Sequence, residues 1–146
     1  MTHSWEATHI GNQTWIGCAP NGSTVVMAPA DAGVAGSFTP GDLLKLALAG
    51  CAGMSSEGPA ARRLGADFAA TIVVEGTPHA TEDRYEAFAE TILLNTTNLT
   101  QAERDGLVAA MTRAIQRSCT IGLTLQGQVT ISTEFGEPIY HDRPPD

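Results

Sequence analysis

Positive charge is scarce in this chain. Its 146 residues hold eight Lys and Arg, seven of them Arg, against sixteen Asp and Glu, a formal charge of -8 at pH 7. Phosphate binding needs concentrated cations, so the composition argues against nucleic acid as a partner. Long apolar runs are missing too, and no stretch reaches the roughly 20 residues that a membrane-spanning helix requires, so no membrane association is expected. The opening Met1-Thr2-His3-Ser4-Trp5-Glu6 lacks a basic start followed by an apolar run, so no secretory signal is expected. Only three cysteines occur. Without an export signal they are expected as reduced thiols in a cytoplasmic protein. The Asn-x-Ser/Thr sequons at Asn12, Asn21, Asn95 and Asn98 then carry no meaning, because a sequon matters only in a secreted chain. No internal repeat and no metal-ligand spacing is present, and no metal or other cofactor is expected.

What the chain does have is a core. Its residues are 42% hydrophobic and 16% charged, which gives enough apolar surface to offset the entropy of ordering. The length fits a single domain spanning 1-146. Short runs at Trp5 to Ile10, Thr14 to Cys18 and Thr24 to Ala28, separated by Gly11-Asn12 and Pro20-Asn21-Gly22, predict an antiparallel β-meander over about 3-28. Thr39, Pro40 and Asp42 form a capping signal for a helix over about 40-64, crossing Gly58-Pro59 by continuing or restarting. Leu43, Leu44, Ala47, Leu48 and Cys51 recur along it at helical spacing and predict one buried face. Phe68 to Glu75 and Tyr85 to Asn95 read as strands within about 67-96. A second capping box, Thr100 with Glu103, opens a helix over about 101-118 whose apolar face is Leu107, Val108, Met111, Ala114 and Ile115. Gly122 or Gly127 reads as the breaker before a last strand over about 127-135. The order predicts an α+β fold.

Cys51 lies between Gly50 and Ala52 in a run of small residues, and Cys119 follows the second helix, so two helices could deliver two thiols across one core. On periodicity alone Cys51 reads first as core packing, since free cysteine is among the most buried residue types. Arg113 and Arg117 lie near Cys119 in sequence, where cations favour a thiolate. Asp42 has a sufficient role as a cap, and Arg62 and Arg63 suit the end of a helix. His3, His9, His79 and His141 have no partner spacing, and Cys18 reads as packing at a strand end.

The stretch Phe38-Thr39-Pro40-Gly41-Asp42-Leu43-Leu44-Lys45-Leu46-Ala47-Leu48-Ala49-Gly50-Cys51 resembles the first signature of the OsmC/Ohr family, and Arg117-Ser118-Cys119-Thr120-Ile121-Gly122 resembles the second. The resemblance covers nearly the whole chain. It implies an OsmC-like fold with antiparallel sheets around two central helices, an intertwined homodimer, and a peroxidase that uses neither metal nor flavin. It further implies that Cys51 is oxidised by an organic hydroperoxide to a sulfenic acid and condenses with Cys119, and that a small dithiol of lipoyl type returns the disulfide. Asp42, Arg62 and Arg63 are the auxiliary candidates. The sequence departs from the family pattern in three places. Gly41 stands where the family carries an acidic residue, Gln116 stands where many members carry His, and no Arg precedes Arg62. Two other uses of the same scaffold stay open: a drifted dimer that binds a small apolar ligand, and a thiol redox sensor.

Overall fold

The computed structural model describes residues 4–127 and 129–134. Their fold is α+β, with two separate antiparallel sheets and helices α1, α2 and α3. The first sheet is a meander of β1 (Glu6–Gly11), β2 (Thr14–Cys18) and β3 (Thr24–Met27) in sequence order. Its first turn puts Asn12 and Gln13 at φ 47° and 57°, the left-handed pair whose twist matches that of the flanking strands. Thr14 Oγ1 donates to the Asn12 carbonyl at 3.0 Å and closes the turn. Phe38 ties the meander to the start of the first long helix, its N–H donating to Val26 and its carbonyl accepting from Ala28.

α1 (Pro40–Leu64) begins where the capping signal puts it. Asp42 N–H donates to Thr39 Oγ1 at 3.1 Å, and the Asp42 carboxylate accepts from Thr39 N–H at 3.0 Å. The helix continues through Gly58-Pro59 without restarting. Its buried residues, Leu48, Ala52, Ser56 and Ala60, repeat every four positions, and three of the four are small, so neighbouring backbones approach closely. Ser56 is satisfied within the helix, its hydroxyl donating to the Ala52 carbonyl at 2.8 Å. Cys51 is one position to the side of this stripe and is half-buried, and Ala47, expected on the same face, is exposed.

β4 (Ala70–Pro78) and β5 (Tyr85–Leu94) form the second sheet. The register pairs Ile72 with Ile92, Val74 with Glu90 and Gly76 with Phe88, so these residues share one face. Ile72, Val74 and Phe88 pack against Leu48, Ala52 and Cys119, while Ile92 and Leu94 pack against Ala60, Leu107 and Met111. A register shift between Thr77 and Pro78 leaves Glu86 as the extra residue of β5. The Tyr85 ring fills a slot made by two glycines: a β-carbon at Gly41 would lie 2.7 Å from Tyr85 Oη, and one at Gly76 would lie 2.7 Å from the ring edge.

α2 (Gln101–Ser118) starts at the Thr100 and Glu103 capping box and buries Leu107, Met111 and Ala114. Val108, expected on the buried face, is exposed. The chain then turns at Cys119 and continues as α3 (Thr120–Gln126). This short helix is not expected from the sequence: of the two candidate breakers Gly122 lies inside α3, and Gly127 terminates it. The strand expected over 127-135 is likewise corrected, since residues 129–134 carry no strand. Val129 and Ile131 have the alternating pattern, but Ile131 is 88% exposed and none of the described strands pairs with this segment. Gln128 and Phe135 lie outside the described residues, as do His3 and His141. Among the described residues no helix is long and apolar enough to cross a membrane.

Candidate active site

Cys119 is the joint between α2 and α3, as last cap of one and first cap of the other. Its N–H donates to the Ile115 carbonyl at 2.9 Å, and its Sγ accepts from Gly122 N–H at 3.4 Å. The side chain is 2% exposed and belongs to one cluster with Leu48 and Ala52, against which Cys51 packs. The two cysteines that the sequence singles out are therefore neighbours, and both are free thiols.

Their electrostatics differ. The backbone N–H of Ile121 is the main influence on Cys51 and holds its pKa below that of an ordinary thiol, against an opposing effect of burial. The Cys119 thiol, Thr120 N–H and the Ser55 side chain act in the same direction. Donors that face a sulfur stabilise its thiolate. Burial pushes Cys119 the other way, helped by the proximity of Cys51 and of the Glu90 carboxylate and only partly offset by Gly122 N–H. The arrangement pairs a thiol disposed to ionise with one disposed to keep its proton. The family sequence model described as OsmC-like protein matches residues 33–134, from the loop before α1 to beyond α3.

The chain belongs to the OsmC-like family. It is 40% identical over 134 residues to uncharacterized proteins of Mycobacterium tuberculosis and Mycobacterium bovis, covering 92% of this chain and 96% of each relative. The OsmC-like protein of Mycoplasma pneumoniae has a similar structure, with a TM-score of 0.66 over 87% of this chain and 89% of that one at 13% identity. The organic hydroperoxide resistance protein OhrB of Bacillus subtilis matches with a TM-score of 0.53 over 83% of this chain and 90% of that one at 21% identity. At these identities the two structures speak for the fold.

The other candidates of this OsmC-like chain lie apart from the thiols. Asp42 is nine residues before Cys51 on α1, about 13 Å along the axis. Its carboxyl is held below the usual range, first by the Thr39 N–H and hydroxyl and then by Lys45, 3.7 Å away. It serves as the cap. Arg62 and Arg63 are on the last turn, about 16 Å beyond Cys51. Arg63 pairs with Glu103 at 3.7 Å, and Arg62 folds back toward Gly58. Among the described residues the influences on Cys51 are hydrogen-bond donors and burial, with no cation among them. Cys18 is exposed at the end of β2 in the separate meander. His9 stacks at a tilt on Trp15, and His79 Nδ1 accepts from Thr81 and Glu82 N–H in the β4–β5 turn. No group of three or more His, Cys, Asp or Glu is arranged to hold a metal among the described residues.

Sequence reasoning missed the backbone N–H groups of Thr120 and Ile121, the Ser55 side chain and Glu90. Main-chain donors carry no residue signature. The cap of α3 is Cys119 rather than one of the usual capping residue types, so the start of that helix carried no ordinary signal.

Proposed function

We propose that this chain is a thiol-dependent peroxidase that reduces organic hydroperoxides in oxidative-stress defence, with Cys51 as the attacking and Cys119 as the resolving cysteine. The observation that carries the reading is the contact between two free thiols whose pKa values are driven in opposite directions. The Cys51 thiolate attacks one peroxide oxygen, the O–O bond breaks, and the alkoxide leaves as alcohol after taking a proton. Cys119 then attacks the Cys51 sulfenic acid, water leaves, and the disulfide forms. A small dithiol of lipoyl type, available reduced in the cytoplasm, returns both cysteines to thiols by exchange. Membership of the OsmC-like family and the likeness to an organic hydroperoxide resistance protein support this chemistry.

An apolar groove runs beside Cys51, lined by Leu46, Ala47, Gly50 and Met54, with Met54 79% exposed. Such a face is stabilised by cover, and it supports a homodimer in which a second copy closes the groove and gives it affinity for an organic peroxide. The test is stopped-flow consumption of cumene hydroperoxide and hydrogen peroxide by the reduced protein, with dihydrolipoamide as reductant. Fast turnover that prefers the organic peroxide and vanishes in Cys51→Ser is expected. Rates no better than those of free cysteine would refute the reading.

A further inference from the structure

The two thiols open on different sides of the molecule. Cys51 lines the apolar groove on the exposed side of α1, and Cys119 does not. Cys119 lines a separate cavity of about 470 Å³ between β5, α2 and α3, and Cys51 does not. Leu48, Phe88 and Ile115 form apolar walls of this cavity, and Glu86 and Glu90 contribute two carboxylates. The strand geometry accounts for both acids: Glu90 opposes Val74 on the helix-facing side of β5, and Glu86 lies two residues before Phe88 on the same alternation, at the register shift. Glu90 is near enough to act on the Cys119 thiol, and burial raises its own pKa. Gly122 also lines the cavity, where a β-carbon would lie 3.2 Å from Cys119 Sγ. The absent side chain keeps the space between the cavity and the buried sulfur free of a β-carbon.

We propose that this cavity admits the reducing thiol, which attacks Cys119 rather than Cys51, and that Glu86 and Glu90 restrict it to uncharged or cationic thiols. The inference rests on the Cys51–Cys119 disulfide of the preceding reading. Displacement at a disulfide runs along the S–S axis, so the nucleophile approaches from the side opposite the leaving sulfur. The reductant thiolate bonds to Cys119 Sγ, the S–S bond breaks, and Cys51 leaves as thiolate. The second thiol of the reductant then displaces Cys119, which takes up a proton, and the reductant departs as a cyclic disulfide, having given its two electrons to the Cys51 and Cys119 sulfurs. The direction is chemically favoured as well, because the sulfur of lower pKa is the better leaving group.

The experiment prepares the disulfide with diamide, independently of peroxide, and follows its reduction by dihydrolipoamide and by dihydrolipoate, which differ in one negative charge. The neutral dithiol is expected to react roughly tenfold faster at low salt, the gap closing in Glu86→Gln/Glu90→Gln and at high salt. Cysteamine, acid quench and peptide mass spectrometry locate the mixed disulfide, expected on Cys119. A mixed disulfide on Cys51, or a charge preference unchanged by the double variant, overturns the proposal. A disulfide that diamide forms and peroxide does not counts against the peroxidase reading alone. Failure of diamide to form it overturns both.

Discussion

Gly122 meets the Cys119 sulfur closely: its N–H donates to Cys119 Sγ at 3.4 Å, and a β-carbon added to it would lie 3.2 Å from the same sulfur. Gly122→Ala is therefore expected to crowd the thiol and, through it, Leu48, whose Cδ1 would be 3.8 Å from the new carbon. Overpacking of this kind costs about 1–3 kcal/mol, set against roughly 1 kcal/mol gained by replacing a glycine inside a helix, so the net loss is expected to be small. Thermal unfolding measures that loss, and the rate of diamide-driven disulfide formation should fall in the same variant. Unchanged stability and rate would mean that α3 shifts freely.

The two thiols should alkylate in different pH ranges. Cys51 is depressed below an ordinary thiol and Cys119 is raised, so iodoacetamide labelling of Cys51 should rise at lower pH than labelling of Cys119. The depressed pKa of Cys51 also adds stability that is full above the unfolded thiol's pKa and is lost as pH falls through the folded value. Cys119→Ala removes one of the donors and should move the Cys51 profile upward, whereas Cys119→Ser keeps a donor and should move it less. Peptide-resolved labelling rates against pH provide the measurement.

Tyr85 occupies the space in front of Gly41. Gly41→Ala should destabilise, and Tyr85→Phe should relieve most of the loss, because the colliding atom is the hydroxyl and the next ring atom would be 3.6 Å away. Gly76→Ala meets the ring edge at two atoms and should cost about 1–3 kcal/mol with no relief from Tyr85→Phe. Denaturant titrations of the single and double variants give the coupling directly.

Removing the cap should damage α1 and spare the thiol. Thr39→Ala is expected to cost about 1 kcal/mol of stability, and Asp42→Asn to destabilise in the same direction. Arg62→Ala and Arg63→Ala are expected to leave the Cys51 alkylation rate unchanged, since both side chains are on the far turn of α1 and Arg63 is engaged with Glu103. A clear loss of Cys51 reactivity in either arginine variant would show that a second copy brings that cation to the thiol.

The helices were legible at their starts, where Thr39 with Asp42 and Thr100 with Glu103 encode reciprocal hydrogen bonds within four residues. β4 was legible from Ile72, Val73 and Val74, whose branched side chains suit a pleated surface. α3 was hidden because Gly122 reads as a breaker when only propensity is weighed, yet here a glycine is what the Cys119 sulfur leaves room for. The alternation of Val129 and Ile131 misled because a strand needs an edge to pair with, and sequence periodicity does not reveal whether this chain provides one. At the site, the cysteines could be picked out through their motifs. The groups that set their ionisation are backbone amides and a carboxylate from β5, which only folding brings near.

The small residues of α1 have a further consequence. Leu48, Ala52, Ser56 and Ala60 are the contact stripe of the helix, and alanine has no rotamers with which to adjust. The separation of the two sulfurs is therefore inherited from how closely the neighbouring backbones can approach, much as the gap in a caliper is fixed by its rigid jaws. Larger residues along the stripe would open that gap at a distance, and changes elsewhere on the surface would leave it alone. A chain built this way holds its sulfur-to-sulfur spacing from the interior rather than from the outer face.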